Sequence, residues 1–129
     1  MTNELDELVA LAERVRSNAH APYSNFRVGA AVRTASGAVF TGCNVENASF
    51  GATICAERNA IAAMVAAGER ELVAVAVFTE ADPPAMPCGL CRQVLLEFGP
   101  NASVVAASPS ARKVTTLREL LPEPFLFRR

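Results

Sequence analysis

Leu72-Val73-Ala74-Val75-Ala76-Val77-Phe78 is an unbroken apolar run. A strand with one face in water alternates apolar and polar side chains, whereas a strand covered on both faces does not. The run therefore reads as a central strand with cover on either side. Upstream, the segment from Cys55 to about Gly68 is dense in alanine (56, 60, 62, 63, 66 and 67), with Ile61 and Met64 among them. Alanine is the strongest helix former and lets a helix lie close on a sheet, and Gly68 is a natural stop. Downstream, Pro83, Pro84 and Pro87 stiffen a loop, and Cys88 to Phe98 reads as a helix halted by Gly99-Pro100. Val104-Val105-Ala106 is a further strand, and Leu117 to Leu121 a short last helix before Pro122. Helices alternating with strands imply a parallel portion of sheet.

The first third of the chain reads differently. Leu5, Leu8, Ala12 and Val15 recur at steps of three and four, with Val9 beside them, which predicts an amphipathic helix over about 3–19. Ala21-Pro22-Tyr23-Ser24 ends it in a turn. Phe26, Val28, Ala30 and Val32 then alternate with Arg27, Gly29, Ala31 and Arg33, the period of a strand. Ser36-Gly37 supplies a tight turn, and Ala38-Val39-Phe40-Thr41 returns antiparallel. The segment 43–54, with Asn44, Asn47, Ser49, Gly51 and Thr53, has a loop composition. The expected architecture is a three-layer α/β fold around one mixed sheet, with a single domain over residues 1–129.

Composition narrows the function. Hydrophobic residues make up 51% and charged residues 19%, an apolar excess that points to surface buried against other subunits. Net charge is −1, and no Lys/Arg-rich run occurs, so the footprint of a nucleic-acid binder is absent and a small, roughly neutral substrate is expected. No apolar stretch approaches the roughly 18–20 residues of a membrane span. Met1-Thr2-Asn3-Glu4 lacks the layout of a signal peptide, so a cytoplasmic location is expected, with the four cysteines reduced.

Three of those cysteines fall in two short motifs, Cys55-Ala56-Glu57 and Pro87-Cys88-Gly89-Leu90-Cys91. Both lie at predicted helix starts, where free N–H groups and the helix dipole favour thiolate. Cys88 and Cys91 share a helix face. Two helices starting at one sheet edge would bring Cys55 to the same ion. Three thiolates hold Zn²⁺ and leave one position open for water, the mark of a catalytic rather than a structural site. Glu57 is then placed to move protons at that water. Three thiolates against one Zn²⁺ also leave net negative charge, which makes bound water a poorer acid; Arg58 can hydrogen-bond a ligand sulfur and withdraw some of it. A closed structural site would need a fourth ligand, and the remaining candidates are His20, read as a surface or helix-end residue, and Cys43, read as a small buried hydrophobe. A thioredoxin-like redox pair would leave Cys55 and Glu57 unexplained.

With these residues placed, the chain resembles cytidine deaminase of the small homotetrameric, zinc-dependent type. The resemblance covers about residues 20–125. It runs through Pro22-Tyr23-Ser24-x-Phe26-x-Val28-Gly29-Ala30-Ala31 and Gly42-Cys43-Asn44-Val45-Glu46-Asn47. It continues in Cys55-Ala56-Glu57-Arg58, Pro87-Cys88-Gly89-x-Cys91-Arg92-Gln93 and Leu120-Leu121-Pro122. It implies a five-stranded mixed sheet between helices and one Zn²⁺ per subunit on Cys55, Cys88 and Cys91. Glu57 would be the proton shuttle in hydrolysis of cytidine and 2′-deoxycytidine to the uracil nucleosides and ammonia, a pyrimidine-salvage reaction. It further implies that Asn44 and Glu46 bind the ribose, chiefly its 3′-hydroxyl, that Phe26 lines the pocket against the pyrimidine, and that the Ala56 N–H holds the base carbonyl. Phe125 matches an aromatic residue lent to a neighbour's site in a homotetramer with shared active sites.

Three positions depart from the usual pattern: Phe50 stands where tyrosine is common, Met86 where serine is common, and the Arg128-Arg129 ending is short. The nearest competing reading is a deaminase of another small substrate such as blasticidin S, which the Glu46 carboxylate, suited to a sugar diol, disfavours. A tRNA adenosine deaminase would carry a His-first zinc motif and a basic face. A non-catalytic zinc or redox module is the reading from a different class.

Overall fold

The computed structural model describes residues 3–127, so the Arg128-Arg129 ending lies outside the described residues. Helix α1 (Glu4–Arg16) starts at a capping box: the Asp6 N–H donates to Asn3 Oδ1 at 2.8 Å, and the Asn3 N–H donates to Asp6 Oδ2 at 3.3 Å. Such a cap stabilises a helix by about 1 kcal/mol. Leu8, Val9 and Ala12 form its buried face, as their spacing predicts.

Strands β1 (Gly29–Thr34) and β2 (Val39–Cys43) make the expected hairpin, turning at Gly37, whose φ of +91° suits glycine. β1 begins at Gly29 rather than Phe26, because the preceding residues bond to a side chain in place of a ladder. The Val28 N–H donates to Asn44 Oδ1 at 2.9 Å, and Asn44 Nδ2 donates to the Phe26 carbonyl at 2.8 Å. All six residues of β1 are buried, since α1 covers the face that carries Ala31 and Arg33. Arg33 stays on that covered face by pairing with Glu4 and Glu7, each at 3.3 Å.

The rest follows as α2 (Ala56–Ala66), β3 (Leu72–Phe78), α3 (Gly89–Phe98), β4 (Ser103–Ala107), β5 (Arg112–Thr116) and α4 (Leu117–Leu120), with a short 3-10 turn at Phe50–Ala52. The sheet order is β2-β1-β3-β4-β5, with β3 and β4 parallel and every other pair antiparallel. β3 is the central strand expected of the 72–78 run. Strand β5 has no apolar pattern to reveal it: Arg112-Lys113-Val114-Thr115-Thr116 holds one large apolar residue, and its pairing to β4 is what makes it a strand. Charged residues on such an edge discourage pairing with another chain.

Three layers result. On one face, Leu8, Val9 and Ala12 of α1 pack on Ala31, Ala76, Phe78 and Val105. On the other, Ala60, Met64, Leu95 and Leu117 pack on Val32, Val75 and Val104. Among the described residues, no helix is long and apolar enough to cross a membrane. Gly42 sets how near α2 lies to the sheet: a Cβ there would stand 2.5 Å from both the Ala56 carbonyl and the Ala60 nitrogen. Gly42→Ala is therefore expected to destabilise the protein by about 1–3 kcal/mol through overpacking. Gly51→Ala, which meets open space, should stay within about 0.5 kcal/mol of the parent. Urea denaturation of both variants checks the contrast.

Candidate active site

β2 and β3 both run antiparallel to β1, so they point the same way, and their C-terminal ends, Cys43 and Phe78, both lie opposite Gly29. α2 follows β2 and α3 follows β3, on the same face of the sheet. The starts of both helices are thereby delivered to one edge. Crevices outside the carboxyl ends of strands are the usual ligand sites of open α/β sheets.

Cys55 is the N-cap of α2 and Cys88 the N-cap of α3, and neither side chain caps its own helix. Their sulfurs meet at 3.9 Å, and with Cys91 from the first turn of α3 all three lie within 4.8 Å of one another. Tetrahedral zinc with bonds of about 2.3 Å would set sulfurs about 3.8 Å apart, so the donor set fits this ion in type and spacing. Among the described residues, no fourth His, Cys, Asp or Glu ligand joins the group. His20 is exposed and bridges Val45 through its backbone, and Cys43 is half-buried with its thiol pushed up by burial.

The electrostatics of the trio ask for a cation. Cys55 is drawn down to about 5, first by a hydrogen bond from the Cys91 thiol and then by Arg58 and Cys88. Cys91 is pushed up, by that same bond to Cys55, by burial and by the nearby charge of Glu57. One thiolate thus forms at the expense of its neighbour's ionisation, and a divalent ion between them removes the conflict. Arg58 reaches the cluster: one terminal nitrogen lies 3.9 Å from the Cys55 sulfur and 3.2 Å from the Thr53 carbonyl.

Glu57, in the first turn of α2, is 4% exposed. Burial raises its carboxyl to about 7, with the Cys55 charge adding to the shift. It lines a cavity of about 250 Å³ together with Phe26, Asn44, Glu46, Cys55, Ala56 and Cys88. These seven, all singled out by sequence, line the cavity, and Cys91 and Arg58 adjoin it at the sulfur cluster. Ala56 is fully buried at the first position of α2, where backbone N–H groups lack helical partners. Phe26, instead of entering the core, is 43% exposed on the cavity wall.

Asn44 and Glu46 are held before any ligand arrives. The Asn44 amide spans the Phe26 and Val28 backbone, as described above. Glu46 Oε1 accepts from the Tyr23 and Ser24 N–H groups at 3.0 and 3.1 Å, and its Oε2 accepts from the Ser24 hydroxyl. These bonds, the hydroxyl's first, hold the Glu46 carboxyl below its ordinary range. Asn25 closes the turn beneath them in the left-handed region, at φ 58°. Met86, noted above where serine is common, also lines the cavity, as do Thr79 and Ala85, which the sequence offers little to mark: they are short and sit in irregular segments. Met86 also packs on the apolar core. Phe50 stacks edge-on against Tyr23, ring centres 5.6 Å apart, beside a second cleft that shares Ser24, Glu46 and Thr53 with the cavity.

Phe125 does not line this cavity. The residue is 74% exposed, while its backbone is pinned to α3: Gln93 Nε2 donates to the Phe125 carbonyl at 2.9 Å, and the Phe125 N–H donates to Gln93 Oε1 at 3.2 Å.

The family profile described as the cytidine and deoxycytidylate deaminase zinc-binding region matches residues 2–107. The cytidine deaminase of Halalkalibacterium halodurans is 42% identical over 120 residues, spanning 92% of this chain and 91% of the relative. The one from Sporosarcina psychrophila is 38% identical over 124 residues, 95% of this chain and 91% of its own. The crystal structure of cytidine deaminase from Burkholderia pseudomallei superposes with a TM-score of 0.90 at 47% identity, covering 97% of this chain and all of that one. Elemental analysis of the purified protein is expected to find about one zinc per chain. Cys91→Ala, which removes the buried ligand, should lose most of it.

Proposed function

The chain belongs to the cytidine and deoxycytidylate deaminase zinc-binding family, and on that footing we propose that it hydrolyses cytidine and 2′-deoxycytidine to the uracil nucleosides and ammonia. The observation that carries this reading is the buried carboxyl of Glu57, which lines a cavity of about 250 Å³ beside the three-sulfur cluster. Cys55, Cys88 and Cys91 would hold the zinc. When bound, the ion would lower the pKa of water toward about 7 and so supply hydroxide at neutral pH.

Glu57 accepts the proton that this water gives up and delivers it to ring N3 of cytosine, which makes C4 open to attack by the hydroxyl oxygen. The same carboxyl then carries the remaining hydroxyl proton to the amino group. The C4–N bond breaks and ammonia leaves. Water and a cytosine nucleoside thus become ammonia and a uracil nucleoside. A carboxyl raised to about 7 suits both duties, because a group that must take and release a proton works best near the operating pH. The Ala56 N–H binds the base carbonyl, and the Phe26 ring flanks the pyrimidine. Arg58 draws charge from the Cys55 sulfur.

Asn44 retains one N–H and one lone pair beyond its backbone clamp, and Glu46 has used three of roughly four acceptor sites. What is left on each faces the sugar hydroxyls, chiefly the 3′-hydroxyl. Glu57→Gln keeps the shape and loses the proton transfer. Its turnover of cytidine, followed by ultraviolet absorbance, is expected to fall by at least about a thousandfold with zinc content unchanged. Substantial activity in that variant would remove Glu57 from the mechanism.

The protein works as a homotetramer of single-domain subunits whose active sites are shared. Leu90, Phe125, Leu126 and Phe127 are all more than half exposed, and large exposed apolar side chains in a group mark contact surface. Phe125 is pinned by its backbone with its ring outward, as a residue lent to a neighbour must be. Its four free cysteines suit the reducing cytoplasm, where the reaction serves pyrimidine salvage. Phe125→Ala should raise the KM for cytidine and leave zinc content intact. Co-expressed hybrids of Phe125→Ala with Glu57→Gln should regain activity per intact Glu57; hybrids no better than Phe125→Ala alone would show that the ring serves its own subunit.

A further inference from the structure

Cys55 and Cys88 are both helix N-caps, yet their backbones are held in different ways. At Cys55, the carbonyl before it (Ile54) accepts from the Val45 N–H at 2.9 Å, and its own carbonyl accepts from the Asn59 N–H at 3.1 Å. The first of these belongs to a strand-like bridge between Val45 and Ile54. At Cys88 no strand lies alongside, because the segment before it is the irregular loop that carries Pro83, Pro84 and Pro87. There a single residue supplies both restraints. The Arg92 backbone N–H donates to the Cys88 carbonyl at 2.9 Å, and Arg92 Nε donates to the Pro87 carbonyl at 2.8 Å. The two peptide planes that flank the Cys88 Cα are thereby fixed from one point, with Cys88 at φ −66° and ψ 169°. The far end of the guanidinium is anchored in turn, donating from Nη1 to the Leu120 carbonyl at 3.0 Å.

We propose that Arg92 is a positioning residue for the metal ligand Cys88: it replaces the missing strand, aims the sulfur at the ion, and braces the proline loop against the end of α4. Cys88 is the exposed member of the trio, while Cys91 is buried and held by its helix, so the aim of Cys88 depends most on its backbone. Partners of this kind behind metal ligands change metal affinity by about 10–100-fold when removed. Arginine suits the task because its planar fork reaches two carbonyls at once, whereas the lysine ammonium is a point donor.

The proposal rests on the zinc reading of the three sulfurs, and the test separates the two. Zinc-loaded wild type, Arg92→Ala and Arg92→Lys are mixed with a chelating dye and the rate of zinc transfer is followed. The same three proteins loaded with Co²⁺ report ligand geometry through their visible absorption. Arg92→Ala should release zinc at least about tenfold faster and shift the cobalt bands. Arg92→Lys should fall between it and wild type. A purely structural role would lower the melting temperature and leave zinc release and the cobalt spectrum as in wild type, which overturns the proposal. If Arg92→Ala does not fold, Arg92→Lys with wild-type zinc release overturns it equally. A wild-type chain that holds no zinc overturns the metal reading itself, and this one with it.

Discussion

The direction of two strands governs the molecule. β2 and β3 are parallel to each other only because β1 lies between them, antiparallel to both. Were either reversed, one helix would begin at the opposite edge and its cysteine would lie a strand's length from the others. The close approach of α2 at Gly42 and the cover of α1 on the far face keep that arrangement in place. Those contacts are hydrophobic and non-directional, but what they secure is directional: two sets of free helix N–H groups, and the sulfurs that begin the helices, aimed at one point.

Charge explains why that point is chemically active. A carboxyl at 4% exposure resists ionisation, and a cluster of sulfurs resists multiple ionisation. The first is relieved by carrying a proton, the second by holding a cation. Glu57 and the cysteines thus sit in one low-dielectric place with opposite needs. Under the proposed mechanism, proton transfer would be cheap for the carboxyl without loosening the ion. Arg58 leans on the Cys55 sulfur from outside.

Much of this was open to reading in the chain. The apolar run of β3, the alanine-rich α2 and the spacing of the cysteines needed no tertiary information, because each is a local pattern with one physical solution. The exceptions have particular causes. Phe26 and Val28 carry a strand's alternation but bond to Asn44, a partner supplied by a loop far along the chain. β5 is held by its neighbour's backbone, which no side-chain pattern records. Arg33 looks like a solvent-facing residue until α1 closes over it with Glu4 and Glu7. Arg92 stands within the Pro87–Gln93 motif, yet its bond to Pro87 depends on where a guanidinium points, and spacing does not encode that.

The turn that Glu46 closes bears on the proposed contacts to a nucleoside. Its carboxylate already accepts from two amides and a hydroxyl, and the Asn44 amide already grips two backbone groups. Neither side chain needs to shed much water or give up much rotational freedom when a ligand arrives. A preorganised acceptor of this kind contributes affinity chiefly by avoiding an entropic penalty. On the proposed reading the sugar would meet a rigid template, and an analogue whose hydroxyl is misplaced would find side chains with nowhere to swing in order to follow it.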